Sequence, residues 1–397
     1  MKKTLSLVAL LAAGTTQAAG FQINTQSARS TAMGNAAAGW LEDSSAIYSN
    51  AANILGVKRL DVTLGDTGIL PTLKFTREGG ATEGQKTTLS PPPHLFATYR
   101  VMDKLAVGLG IYTPFGAKSR WVDDFSGRFR ARESAMAVYN INPTVAYQVH
   151  ERLRLGAGLD IGRGTLELKR ALDFVSSEGN VHLGGGAWGV GFNAGVQGVV
   201  VPKLLTAGVH FRSSMDLTFK GDADFQDIPD GFQTRTFDTT VQGDVTLPAS
   251  VAAGIAFTPL ERLTLAFDAN WVDWSSFEQL AIEFPENPAL NNPLPKRWKS
   301  TWNFHLGAEY GVTEALAVRA GFVIDPSPSP NDTLTPDLPD ADRLAFTGGV
   351  GYAFGALRAD AAYQFVRLAD NVSSAPGIPG TYNGQAHVFG LTLGYSQ

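Results

Sequence analysis

The side chains best suited to metal or acid–base chemistry are six histidines, His94, His150, His182, His210, His305 and His387, and they are scattered. No pair stands at a metal-ligand spacing and the chain has no cysteine, so nothing points to a metal centre. No G-x-S-x-G turn presents a serine nucleophile; a Ser–His pair assembled from separate strands is the enzymatic arrangement that spacing leaves open. Gly184-Gly185-Gly186 is followed by no helical pattern and reads as a loop entering a strand, not as a phosphate cradle. A net charge of −5 without any basic run argues against nucleic acid as a partner. The expectation is a protein that is not an enzyme and needs no cofactor.

Two proline features carry more information. Pro91-Pro92-Pro93 open one candidate strand, and Pro114 sits at the end of the next, in Ile111-Tyr112-Thr113-Pro114-Phe115-Gly116. Proline cannot donate to a β-ladder and belongs at edges or breaks. Either these prolines break a wall of strands, or they lie above it, in the loops.

The elements that would position these residues alternate with period two. Leu153, Leu155, Ala157, Leu159 and Ile161 alternate with Arg154, Gly156, Gly158 and Asp160, and Leu263, Leu265, Phe267, Ala269 and Trp271 repeat the pattern. Such alternation suits a wall with lipid on one side and a polar lumen on the other. Short turns near 102–104, 150–152, 202–203, 259–261, 313–314 and 355 alternate with longer Gly-, Pro-, Asp- and Asn-rich segments near 77–85, 116–128, 173–183, 222–237, 285–297, 326–341 and 368–384. Six turns and seven loops imply about fourteen strands with both ends on one side, as in outer-membrane barrels. A soluble sandwich or propeller accounts for the alternation but not for every second connection being short. Only 17% of residues are charged, against about a quarter in soluble domains. Beyond the leader, no apolar run approaches the roughly 20 residues of a spanning helix. Aromatic residues near strand ends, among them Tyr99, Tyr112, Trp121, Trp271, Trp274, Trp298, Trp302 and Tyr363, are grouped as interfacial girdles would be.

The N-terminus divides in two. Residues 1–18, with Lys2, Lys3 and a short apolar core ending in small residues, read as a secretory signal peptide. Residues 19–56 are rich in small residues, poor in strand signals and too polar to span a membrane; they are expected to fold inside the barrel formed by residues 57–397 and to plug it.

With these features in place, the chain resembles the FadL family of outer-membrane transporters for long-chain fatty acids and other hydrophobic compounds. The resemblance rests on Ala19-Gly20-Phe21-Gln22-Ile23-Asn24, Asn142-Pro143, Ala187-Trp188-Gly189-Val190-Gly191-Phe192-Asn193, Asp273-Trp274-Ser275-Ser276-Phe277, and Asp325-Pro326-Ser327-Pro328 with Pro339-Asp340-Ala341-Asp342-Arg343. It implies a fourteen-stranded antiparallel transmembrane β-barrel with an N-terminal hatch in the lumen, in the bacterial outer membrane. The family's Asn-Pro-Ala hatch motif matches Asn50-Ala51-Ala52, where the proline is absent. The family's third strand kinks inward and opens the wall, and that kink matches Thr113, Pro114, Phe115 and Gly116. By ungapped matching, the residues that hold a fatty-acid carboxylate in the family fall on Arg170 and Lys299, and the hatch phenylalanine near the ligand falls on Phe21. The chain ends Tyr395-Ser396-Gln397, without the terminal aromatic common in such barrels. The resemblance thus implies passive uptake of a long-chain fatty acid or another hydrophobic small molecule, with hatch gating and lateral release. The partners would be that cargo and the lipid and lipopolysaccharide around a monomer. An aromatic-hydrocarbon channel of the same family and a general porin are the alternatives.

Overall fold

A computed structural model describes residues 20–291 and 293–397. The expected signal peptide, residues 1–18, and the first residue of the expected hatch, Ala19, lie outside the described residues.

Fourteen antiparallel strands form a closed ring. They are β1 (Leu60–Arg77), β2 (Pro93–Met102), β3 (Leu105–Arg120), β4 (Glu133–His150), β5 (Leu153–Asp173), β6 (Glu178–Val201), β7 (Leu205–Arg212, resuming as Met215–Gln226), β8 (Thr239–Leu247, resuming as Ser250–Leu260), β9 (Leu263–Val272, resuming as Gln279–Glu283), β10 (Thr301–Gly311), β11 (Leu316–Asp325), β12 (Arg343–Phe354), β13 (Leu357–Ser373) and β14 (Gly380–Ser396). Each pairs with its neighbour in sequence, and β14 closes on β1 from Asp61↔Ser396 to Arg77↔Gly380. Closure removes the free edges that would leave backbone groups unpaired in lipid.

The side-chain phase is that of a membrane barrel. Leu153, Leu155 and Leu159 on β5 and Leu391 and Leu393 on β14 face outward and are exposed. Asn140, Asn142, Asp160, Asn193, Arg212, Asp268, Asn303 and Asp360 are buried on the inside. Apolar side chains outside and polar ones inside reverse the arrangement of a soluble domain. All six short turns fall where expected, at one end of the ring.

The other end departs from expectation in three places. The loop expected near 173–183 is only the gap between Asp173 and Glu178, and the one near 368–384 shrinks to the gap between Ser373 and Gly380. The extra strand residues, Glu178–Leu183 and Gly380–Gly384, are rich in Gly, Asn and other polar residues, which marked them as loop. Gly184-Gly185-Gly186 is not a loop entering a strand but lies within β6, paired with both β5 and β7; a Cβ on Gly221 of β7 would stand 1.8 Å from the Gly184 carbonyl oxygen, so it is Gly221 that permits the close approach. Of the aromatics assigned to girdles, Tyr99, Trp302 and Tyr363 do face outward, whereas Tyr112, Trp121, Trp274 and Trp298 are at most 4% exposed and point inward or into the loops.

Candidate functional site

Residues 20–57 lie inside the ring and bond to strands around its circumference. The segment holds α1 (Ala28–Ala32), capped by the Ser27 side chain on Ser30 N–H, α2 (Ala46–Ser49) and a 3₁₀ helix (Ala51–Gly56). Asp268 of β9 accepts the Ala37 and Ala38 N–H groups at 2.7 and 2.9 Å. Asp61 of β1 accepts from Ser44 N at 2.8 Å, and Thr347 of β12 donates to Ala32 O at 2.9 Å. Close packing needs wall glycines: a methyl on Gly156 would stand 2.3 Å from the Ala51 carbonyl carbon, and one on Gly208 2.1 Å from Ala38 O. Asn50 is held by three hydrogen bonds. Its Oδ1 accepts from Ala52 N (3.1 Å), capping the 3₁₀ helix, and its Nδ2 donates to Ala38 O (2.8 Å) and to Val196 O of β6 (3.0 Å). Ala51 and Ala52 are wholly buried beside it.

Two charge networks tie this segment to the wall. Arg212 of β7 pairs with Asp160 of β5 at 2.5 Å; Asp160 also accepts from Tyr112, Asn142 and Asn193, and Arg212 reaches Tyr48 O at 3.1 Å. Nearer the short turns, Arg29 meets Glu309 (3.0 Å) and Asp43 (3.4 Å), Arg319 joins Glu309 to Asp360, and Arg358 binds Asp61 at 2.7 Å. A buried charge stripped of its partner is strongly destabilising, so these networks fix one position of the segment. They were missed from sequence, although their signal was there: Asp160, Arg212 and Asp360 occupy the polar phase of otherwise apolar strands.

Above the networks, the start of the segment packs into an apolar cluster. The Phe21 ring is fully buried, 4.7 Å from Trp274, 5.4 Å from Phe277, 5.6 Å from Trp298 and 6.0 Å from Phe115 between centroids. Met136, Val138, Leu217, Phe219, Val245 and Leu247 complete the cluster from β4, β7 and β8. Gly20 N donates to Asp340 at 3.3 Å, and Asp340 also pairs with Arg343. Burial pushes the Asp340 carboxyl above the usual carboxylate range despite that guanidinium.

The same residues meet the irregular part of the wall. The β2–β3 ladder stops at Leu95↔Ile111, and the β3–β4 register slips between Tyr112 and Phe115, leaving Thr113 and Pro114 out of it. From Tyr112 to Ala117 every residue of β3 is buried, so the strand's outward face is lost and it turns into the lumen. Among the described residues no backbone pairing joins this stretch to β2. The N-terminal segment pairs with it instead: Ile23 N donates to Pro114 O at 2.7 Å, Gly116 N to Phe21 O at 2.8 Å, and the Gln26 side-chain amide to Thr113 O at 2.8 Å. Thr113, Pro114, Phe115 and Gly116 thus border a break in the ladder, and Phe21 sits against it.

The two cations expected at the site are not brought together. Arg170, on the rising part of β5, lines an apolar cleft of about 40 Å³ with Leu168, Val181, Leu183, Leu280, Ile282 and Phe284. It also lines an open polar vestibule of about 350 Å³ with Arg120, Arg132 and His182. Among the described residues it has no ion-pair partner. Lys299 is exposed, its N–H bonded to Pro328 O at 2.9 Å, and it lines neither space, which corrects its placement as an interior cation. The buried lysine of that loop is Lys296, paired with Asp337 at 2.6 Å. Burial opposes the Asp337 charge, but Lys296 wins and holds its carboxyl below the usual range. Three residues of ungapped offset in a proline-rich loop separate the two lysines, and such a loop has no periodicity to fix its register.

Comparison with known proteins agrees with this architecture. The chain is 23% identical to a putative outer membrane protein of Neisseria meningitidis serogroup B over 93% of this chain and 91% of the relative. It is 23% identical to a long-chain fatty acid transport protein of Escherichia coli O6:H1, over 100% and 98%. Its fold matches the crystal structure of a Pseudomonas aeruginosa FadL homologue with a TM-score of 0.86 at 21% identity, covering 95% of this chain and 100% of that one. For the Pseudomonas putida toluene transporter TodX the values are 0.73, 19%, 96% and 99%. The family model described as outer membrane protein transport protein (OMPP1/FadL/TodX) matches residues 9–396. A closed barrel, apolar outside, with a cluster of aromatic residues packed inside, joined to a family match across nearly its whole length, places this chain in the OMPP1/FadL/TodX family of outer-membrane transporters of hydrophobic compounds.

Proposed function

We propose that the protein takes up long-chain fatty acids or related amphiphiles by passive diffusion, that residues 20–56 act as its hatch, and that cargo leaves sideways through the break beside β3. The observation that carries this reading is the pairing of Phe21–Ile23 with Pro114–Gly116: one contact holds Phe21 in the apolar cluster and closes the break. Displacing it would open a chamber within the cluster and the break together, giving that chamber a route to the bilayer. The deeper part of the hatch is held by buried ion pairs, which disfavours a straight path to the periplasm and an aqueous porin.

The cargo class follows from the outer cleft. Each buried CH₂ contributes about 0.8 kcal/mol, so an alkyl chain favours the space between Leu168, Leu183, Ile282 and Phe284. Arg170 at its rim has no carboxylate partner among the described residues and can take one in a bidentate pair. Capture there, passage to the chamber around Phe21, displacement of Gly20–Gln26 and lateral exit form the proposed sequence. No step requires an energy source beyond the cargo's own gradient.

The test replaces Thr113–Gly116 with a regular alternating sequence and extends β2 to pair with it. Uptake of a fatty acid is expected to stop while the barrel still folds, as judged by heat-modifiable gel mobility. Normal uptake by the folded variant refutes lateral release.

A further inference from the structure

Asp66 occupies an unusual place on the lipid-facing surface. On β1, Asp61, Thr63, Thr67 and Ile69 are buried toward the lumen, so the even-numbered residues face outward, as the 56% exposure of Leu64 confirms. Asp66 is in that outward phase, opposite Leu391 of β14 on one side and Pro93 of β2 on the other. The outward positions around it on these strands, Leu64, Phe389, Leu391 and Leu393, are apolar and exposed. An ionisable side chain in the hydrocarbon belt is costly and marks function more often than structure. Among the described residues Asp66 has no hydrogen-bond or ion-pair partner. The neighbouring Pro91, Pro92 and Pro93 have no N–H to offer it.

Its depth coincides with the break. Asp66↔Pro93 is the last rung of the β1–β2 ladder, and the β2–β3 ladder ends at Leu95↔Ile111. Between this level and the rungs Lys74↔Gly84 to Thr76↔Thr82 higher up, β1 has on that side the Ile69↔Ser90 bridge and the Gln85 N–Leu73 O bond. The carboxyl therefore stands at the lower lip of the opening, where a head group arriving with its tail already in lipid would meet it. We propose that Asp66 is the specificity-determining residue of the lateral exit. It accepts a hydrogen bond from a neutral donor head, a protonated carboxylic acid or an alcohol, and turns back permanent anions. The inference rests on the lateral-exit reading.

The test measures initial uptake of dodecanol, dodecanoic acid, dodecyl sulfonate and dodecane by cells that carry the full-length protein and no other such channel. Asp66→Asn keeps a hydrogen-bonding group and removes the charge; sulfonate uptake relative to dodecane is expected to rise about tenfold, since like charges no longer meet, while acid and alcohol stay within about twofold. Asp66→Leu is expected to admit sulfonate as well, but to slow acid and alcohol by about threefold or more through loss of the acceptor. A sulfonate-to-dodecane ratio unchanged in both variants overturns the proposal. The straightened-β3 variant separates the two ideas. Dodecane entry surviving in it removes the lateral exit; dodecane entry lost in it, with sulfonate unmoved by Asp66→Asn, removes only the role of Asp66.

Discussion

Phe21→Ala is the perturbation that most directly weakens the closure. The ring is fully buried among four aromatic neighbours, and a Phe→Ala change at such a site costs about 3–5 kcal/mol. The hydrogen bonds from Ile23 N, Gly116 N and the Gln26 amide, worth roughly 1 kcal/mol each, survive the change, so the segment is loosened, not expelled. At 1.4 kcal/mol per decade, the detached population should rise by about two orders of magnitude or more. The chain contains no cysteine, so Ile23→Cys supplies a single thiol at a position that is wholly buried when the segment is seated. Its maleimide labelling rate, in the rapid open–close regime, reports the detached fraction. Comparing Ile23→Cys with and without Phe21→Ala should show at least about a hundredfold acceleration. A change below about threefold would mean that Phe21 does not hold the closure, and the gating argument would fall with it.

Further outcomes are expected elsewhere. Arg170→Ala should reduce uptake of a fatty acid severalfold while sparing a neutral hydrocarbon of equal length, and Lys299→Ala should leave both unchanged; uptake competition between the two cargos reads this directly. Gly156→Val should fold as a barrel but fail to seat the 3₁₀ helix, because even its Cβ falls 2.3 Å from the Ala51 carbonyl carbon, and raised ion conductance in planar bilayers is the signature. Lys296→Met leaves Asp337 buried without its cation, at a cost of about 3–5 kcal/mol, and should expose the outer loops to trypsin. Because the folded-state pKa of Asp337 is depressed, the stability this pair contributes is complete above the unfolded carboxylate value of about 4 and is lost as pH falls through the lower folded value. Loop protection in the parent should therefore persist at pH 5 and fade only in stronger acid.

Much of the barrel was legible because its physics is periodic. Leu153-Leu155-Leu159 against Arg154-Gly156-Asp160 states which face meets lipid, and the short turns at 102–104 and 259–261 fix how strands connect, so the fourteen-strand count needed no coordinates. Asn50 and Phe21 were singled out only through the family resemblance, since nothing in the periodicity of a non-strand segment marks them. What alternation could not show is where strands continue above the bilayer, since Glu178–Leu183 and Gly380–Gly384 carry the Gly, Asn and His content of a loop and yet are strand. Nor could it tell a girdle tryptophan from one in the inner cluster: Trp302 and Trp298 are four residues apart, one facing lipid and the other packed on Phe21. Lys299 was misplaced for the same reason, as a proline-rich loop offers no repeat against which Lys296 and Lys299 can be distinguished. Asp66 lay within an apparently regular strand, and its meaning depends on its neighbours across β2, which only the closed ring reveals.

The central claim is that release of the N-terminal segment from β3 is the act of opening. Gln22 and Phe115 face each other as a non-hydrogen-bonded antiparallel pair, flanked by the Ile23–Pro114 and Gly116–Phe21 hydrogen bonds. Such pairs bring Cα atoms within about 4.5 Å, a separation a disulfide spans. In the otherwise cysteine-free chain, Gln22→Cys with Phe115→Cys should therefore lock the segment when oxidised. The account predicts that fatty-acid uptake by the oxidised protein stops and returns on reduction. Uptake that is the same in the oxidised, cross-linked protein and the reduced one would contradict it.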